Sequence, residues 1–99
     1  MDLDGLPGAA LVARGLADLE RGEDTVEALL VAIGRARLQR AGLAIPARAA
    51  EIREGELRLY AEIGRTNPDD AYGRYNSLLR ELVSFERALE HRVRRQSRD

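Results

Sequence analysis

The chain has 99 residues and a nearly balanced charge, with 16 basic residues against 17 acidic ones. A chain of this length forms a single domain, residues 1–99, and a formal net charge of −1 argues against a dedicated polyanion-binding protein. The absence of both Cys and Lys excludes disulfides, thiolate nucleophiles, Schiff-base lysines and a P-loop lysine.

The composition favours an all-α fold with an aliphatic core. The chain contains 15 Leu and 15 Ala but only nine Val and Ile together, one Phe and three Tyr. The N-terminal stretch "MDLDGLPGAALVA" is acidic where a secretory signal would be basic, and no run of about 18 apolar residues is available to cross a bilayer. We therefore predict a cytoplasmic protein that does not bind membranes.

The first predicted helix spans about 7–21. Pro7 suits the first turn of a helix, and Val12, Leu16 and Leu19 recur at helical spacing on one face. Gly22 is predicted to end the helix as a left-handed cap.

The second predicted helix begins with Asp24 as its N-cap, and Glu27 completes a pair typical of a capping box. It ends at Gly42, which is followed by the apolar Leu43. The stretch "EALLVAIGRARLQRAGL" has a loose likeness to a helix-turn-helix with a turn at Gly34. Because the second helix of such a motif would have barely two turns here, we predict one continuous helix.

The third segment, residues 46–64, begins after a proline that stops any preceding helix. Ile52, Leu59 and Ile63 share one face, and Leu57 and Tyr60 flank it. Gly55 is a possible break, so the sequence leaves open whether this segment is one helix or two.

The fourth segment is predicted to be the longest helix, residues 68–94. Asn67 is the candidate N-cap, Pro68 takes the first helical position, and Asp69 and Asp70 complement the helix dipole. Its length would be on the order of 40 Å. The basic tail, residues 91–99, is expected to fray.

One face of this long helix carries an apolar residue at every third or fourth position, which is the spacing of a heptad repeat. We call this set the heptad stripe: Ala71, Tyr75, Leu78, Leu82, Phe85 and Leu89. We predict a compact bundle of four helical segments that leaves part of the heptad stripe uncovered. An uncovered stripe of this kind favours a two-fold dimer in which the stripe is the interaction seam.

The residues needed for catalysis or metal binding are nearly absent. His91 is the single His, and its place near a helix end beside several Arg is typical of a solvated side chain. Glu51, Glu54 and Glu62 are the best carboxylate ligands, but arginines alternate with them, which is typical of a salt-bridging surface. We therefore predict a non-enzymatic protein without a metal or a cofactor.

Nucleic-acid binding is the alternative that we weigh but do not favour. Its candidate contacts are two groups of arginines, one at the end of the second helix and one on the tail. They are Arg35, Arg37, Arg40, Arg92, Arg94, Arg95 and Arg98. The basic stretches contain no aromatic residue to stack on bases, so the evidence for this function is charge alone.

A small-molecule pocket formed by Tyr60, Tyr72 and Tyr75, with Arg74 to hold an anion, is a further possibility that we do not favour. Tyrosines on a helical bundle more often bury the ring and expose the hydroxyl group. No family motif is recognisable in the chain. The sequence therefore predicts a small helical interaction protein that forms a homodimer, with a nucleic-acid-associated regulator as the alternative.

Overall fold

A computed structural model describes residues 2–97 and confirms the predicted all-α fold with a long C-terminal helix. The structure is 76% helical, and the described residues contain no strand. The helices are α1 (Ala9–Glu20), α2 (Val26–Ile33), α3 (Arg35–Arg40), α4 (Gly55–Thr66) and α5 (Ala71–Ser97), with 3-10 turns at Ala47–Glu51 and Pro68–Asp70. None of these helices is both long and apolar enough to cross a membrane.

The glycine that ends α1 behaves as predicted. Gly22 adopts a φ of 75°, and its N–H donates to the carbonyl of Leu19 at 3.1 Å. The N–H of Glu23 reaches back to the carbonyl of Asp18 at 2.9 Å. These two bonds satisfy carbonyls that the helix end would otherwise leave without partners, which is the Schellman arrangement.

The predicted N-cap of the second helix is wrong by one residue. Thr25 is the N-cap of α2, and its hydroxyl oxygen accepts a hydrogen bond from the N–H of Ala28 at 3.1 Å. The Asp24 carboxylate points elsewhere and pairs with Arg48 and Arg58. Two guanidinium partners therefore draw this carboxylate away from the helix terminus.

The prediction of one continuous helix from Asp24 to Gly42 is also wrong, because the chain leaves helical geometry at Gly34. This residue has φ −87° and ψ 6°, and it separates α2 from α3. A Cβ added at Gly34 would lie 2.9 Å from a carboxylate oxygen of Glu86 and 3.1 Å from Leu82 Cδ1. The close passage of α5 thus explains why glycine suits this position.

The third segment, which the sequence left open, is divided into two parts. A 3-10 turn ends at Glu51, and α4 begins at Gly55. Between them, Glu54 adopts a left-handed conformation with φ 53°. This conformation interrupts the helical path just before Gly55, the residue at which a break was considered.

The long helix differs from its prediction at both ends. Asn67 makes no side-chain cap, and Pro68 opens a 3-10 turn rather than the helix itself. Helix α5 then runs to Ser97, so most of the tail that was expected to fray is helical. Arg98 and Asp99, the last residues of that tail, lie outside the described residues.

The core lies along one side of α5 and is aliphatic, as the composition predicts. Helix α2 packs on α1 and α4 and also contacts α5, α4 packs on α5, and the molecule measures 47 × 26 × 19 Å. The most deeply buried large side chains are Val12, Leu19, Leu29, Leu30, Val31, Leu38, Leu59, Leu78, Phe85 and Leu89.

We expect Leu82→Ala to lower the free energy of unfolding by about 2–5 kcal/mol, because Leu82 is 4% exposed and its truncation leaves a cavity. The matched control is Leu57→Ala, the same chemical change at a side chain that is 69% exposed. The control should change stability by less than about 0.5 kcal/mol at a low protein concentration. Equal losses in urea denaturation would contradict the assignment of Leu82 to the core.

Candidate functional site

The heptad stripe is the first predicted site, and the structure buries it inside the chain's own core. Leu78, Leu82, Phe85 and Leu89 are at most 4% exposed, and Ala71 and Tyr75 are half-buried. The expectation that part of the stripe stays uncovered as an interaction seam is therefore wrong for its last four residues. The shorter helices cover these residues, which are not available to a second subunit.

Two glycines allow this close coverage of α5. A Cβ added at Gly8 would lie 3.2 Å from the carbonyl oxygen of Glu81, and one at Gly34 would press on Leu82. The backbone can therefore approach α5 more closely than any residue with a side chain would permit.

The predicted nucleic-acid contact Arg37 is committed to an ion-pair cluster that ties α3 to α5. Its Nε and Nη2 donate to the two carboxylate oxygens of Glu90 at 2.7 and 2.8 Å, and its Nη1 donates to Glu86 at 3.3 Å. Glu86 is only 5% exposed. An arginine whose charge and N–H groups are engaged by a buried carboxylate is poorly able to bind a phosphate as well.

This cluster moves the two carboxyl pKa values in opposite directions. Burial raises the pKa of Glu86 above its ordinary value, although Arg37 opposes the change. The hydrogen bonds from Arg37 lower the pKa of Glu90, and the nearby charges of Arg94 and Arg40 contribute. Arg40 and Arg94 come from the two predicted basic groups, so the structure brings those groups together around one carboxylate.

A second predicted contact, Arg92, is also engaged within the chain. Its Nη1 donates to the carbonyl oxygen of Asp2 at 3.1 Å, and its Nη2 donates to that of Asp4 at 3.2 Å. These bonds hold the N-terminal segment against the end of α5. Of the other predicted contacts, Arg40, Arg94 and Arg95 are exposed and Arg35 is half-buried. Arg98 lies outside the described residues.

The sequence did not predict an ion-pair cluster in which Asp24, just before α2, pairs with Arg48 of the first 3-10 turn and Arg58 of α4. Arg48 Nη2 lies 2.8 and 2.9 Å from the two carboxylate oxygens of Asp24, and Arg58 Nη2 lies 2.7 Å from one of them. The hydrogen bond from Arg58 is the largest cause of a lowered pKa for Asp24, followed by the contribution of Arg48. No short-range spacing connects these residues, so no sequence signal was available to find the cluster.

The tyrosines and Arg74 do not form one pocket. Tyr60 and Tyr75 meet edge to face, with ring centroids 5.5 Å apart. Arg74 instead lines a separate open cleft of about 620 Å³ between α1, α2, α4 and α5, together with Arg14. Arg14 also lies 3.6 Å from the buried Asp18 carboxylate, so the cleft is not a simple anion site.

His91 is exposed on the last turns of α5, in an open cleft beside the N-terminal segment. Within residues 2–97 no three His, Asp or Glu side chains are placed to hold a metal ion.

The outer side of the α4–α5 hairpin carries the large apolar side chains that face solvent. Within the described residues these are Leu57, Tyr60 and Tyr72, which are 69%, 43% and 70% exposed. Leu57 and Tyr60 are neighbours on α4, Tyr60 contacts Tyr75, and Tyr75 and Tyr72 are neighbours on α5. We call this continuous set of four residues the hairpin face.

A shallow depression of about 330 Å³ extends the hairpin face toward α2. Ile33, Ile52 and Leu57 are among the residues that line it. Two of these are half-buried and one is exposed, so apolar surface continues from α4 around the edge of the bundle.

Comparisons of the chain with known protein families, with curated proteins and with solved structures find no match.

The Arg37 cluster generates a prediction about pH. The folded state holds a proton on Glu86 more tightly than the unfolded chain does, so this group favours folding below its ordinary pKa. This contribution of Glu86 to stability is lost as the pH rises through the pKa that Glu86 has in the folded state. Removing Arg37 takes away the positive charge that favours ionisation of Glu86 and leaves this buried carboxyl group without its partner. We therefore expect Arg37→Ala to lower the melting temperature more at pH 7 than at about pH 4.

The matched control is Arg37→Ala combined with Glu86→Gln, which removes the buried charge along with its partner. The difference between the two pH values should be smaller in this double variant. Glu90 adds to the pH dependence in the same direction and does so in both variants, because its lowered pKa stabilises the fold above its ordinary pKa and loss of Arg37 removes that stabilisation at pH 7. An effect of Arg37→Ala that did not change with pH would contradict the assignment of a buried charge at Glu86.

Proposed function

We propose that this chain is a non-enzymatic interaction protein that binds a protein surface through the hairpin face. The observation that carries the proposal is the grouping of Leu57, Tyr60 and Tyr72 on one hairpin, while the other large apolar side chains of residues 2–97 are buried or half-buried. Single exposed apolar residues are ordinary, but a continuous exposed patch is typical of an interaction site.

The chemistry of the hairpin face suits a protein partner. Tyrosine is enriched at the centre of protein interfaces because a rigid ring buries a large area at a low cost in conformational entropy. Tyr60 is already held by its edge-to-face contact with Tyr75, so it loses less freedom on binding than an isolated side chain.

A second copy of the chain is the partner that we propose. The formal net charge is −1, so two copies approach each other without strong overall repulsion. We keep the homodimer that the sequence predicts, but we propose the hairpin face as its interface in place of the heptad stripe. We do not extend the proposal to nucleic acids, because Arg37 and Arg92 are engaged in contacts within the chain.

We expect the protein to have twice the mass of its 11.0 kDa chain in size-exclusion chromatography with light scattering at high concentration. Leu57→Asp should weaken this dimer by about 2 kcal/mol or more, because a charge would replace an apolar contact. Leu57 lies in the first turn of α4, where the helix dipole favours an acidic residue, so the fold should survive.

The matched control is Ala13→Asp, which adds the same charge at an exposed position of α1. It should leave the dimer intact, and circular dichroism should report the same helix content for both variants. A wild-type protein that stays monomeric at every concentration, or equal loss of the dimer in both variants, would contradict the proposal.

A further inference from the structure

Helix α5 carries a row of arginines on the side that faces solvent. Arg80, Arg87 and Arg94 follow one another at intervals of seven residues, and all three are exposed. Each lies nine residues from a buried member of the heptad stripe, which is two and a half turns and therefore the opposite side of a helix with 3.6 residues per turn. We call these three arginines the basic row.

The basic row is not neutralised by the rest of α5. Neighbours on a helix surface are three or four positions apart, and Glu90 is the only acidic residue at that distance from any of the three arginines. Both carboxylate oxygens of Glu90 bind Arg37. Accordingly, no ion pair among residues 2–97 includes a member of the basic row.

The neighbouring helix α3 adds positive charge to this surface. Besides the hydrogen bonds from Arg37, the charges of Arg94 and Arg40 lower the pKa of Glu90, so both of these arginines lie near that carboxylate. The acidic N-terminal segment is bound by Arg92, to one side of the basic row. Arginines seven residues apart on a helix are about 10.5 Å from each other and repel one another at low salt. A partner with negative charge relieves that repulsion.

We propose that the basic row is a docking surface for an acidic helix of another protein, whose carboxylates recur at matching intervals of seven residues. When two helices lie side by side, this spacing brings each arginine opposite one carboxylate. The planar guanidinium group pairs bidentately with a carboxylate and stays charged at any physiological pH. The basic row lies apart from the hairpin face, so the inference goes beyond the proposed function and applies to a monomer and to a dimer.

The chain itself does not supply the complementary helix. Within residues 2–97, no helix carries two acidic residues seven positions apart. Helix α5, for example, has its acidic residues at Glu81, Glu86 and Glu90. A second copy therefore cannot present a matching row of carboxylates, and the occupant is a different protein.

A nucleic acid suits the basic row less well than an acidic helix does. The formal net charge is −1, so the rest of the surface carries an excess of negative charge that repels a long polyanion. A short acidic segment that contacts only the basic row avoids this repulsion. The basic row is also only about 21 Å long, and it includes no aromatic side chain on which a base could stack.

The first test is an NMR titration of the wild-type protein with an alanine-based helical peptide of about three heptads, which carries Glu at the first and fourth positions of each heptad. We expect the Nε–Hε signals of Arg80, Arg87 and Arg94 to shift, because each guanidinium group meets a carboxylate. The matched peptide has the same composition, but its Glu residues are distributed around the helix. It should shift these signals much less.

The second test combines Arg80→Gln with Arg87→Gln. We expect the dissociation constant of the first peptide to rise about threefold or more at low ionic strength, because two exposed ion pairs are lost. Gln is a good helix former, so circular dichroism should report an unchanged helix content.

The matched control combines Arg53→Gln with Arg74→Gln. It removes the same charge from two exposed arginines that likewise belong to no ion pair among residues 2–97. This control should leave the dissociation constant unchanged.

Selective shifts of the basic row, with affinity lost only in the Arg80→Gln/Arg87→Gln variant, would support the proposal. Equal responses to both peptides, or equal losses in both double variants, would show that only overall charge matters and would overturn it. Absence of any shift at millimolar peptide concentration would also overturn it. Tighter binding of a short DNA duplex than of the peptide, lost in the Arg80→Gln/Arg87→Gln variant, would assign the basic row to a nucleic acid instead.

Discussion

Helix α5 is 27 residues long, and the burial of one side of it organises the molecule. Leu78, Leu82, Phe85 and Leu89 contribute the apolar surface on which the shorter helices pack, and each fully buried side chain of this size stabilises the fold by about 1.5–3 kcal/mol. No shorter helix has enough apolar surface to be stable alone. The shorter helices also pack on one another, α2 with α1 and α4, so these contacts and the coverage of α5 together decide which surfaces remain outside.

Coverage of α5 by apolar contacts is reinforced by ion pairs at its C-terminal half. Arg37 draws α3 toward Glu86 and Glu90, and Arg92 holds the N-terminal segment through two carbonyl groups. These arginines therefore contribute to the fold, although their sequence context is equally typical of phosphate binding. Once they are engaged, the apolar hairpin face is the most distinctive feature of the surface.

The all-α fold and the glycines that end two of the helices were predictable because their causes are local. Gly22 and Gly42 end helices through bonds to carbonyls only a few residues earlier, and the spacing along α5 identifies its buried side without knowledge of its partners. The break at Gly34 was not predictable in the same way. Its flanking residues fit one continuous helix, and the passage of α5 beside it is a long-range contact.

The sequence by itself therefore determined the fold class, the longest helix and the residues of its buried face. These depend on helix propensity, capping and periodicity, which act within a few turns. Only the tertiary structure decided that the heptad stripe is covered, that Arg37 is paired, and that Leu57 and Tyr60 face solvent. The physical reason is that an apolar stripe has the same sequence pattern whether it packs within its own chain or against another chain. Which of these occurs depends on how the remaining helices share the limited surface of α5.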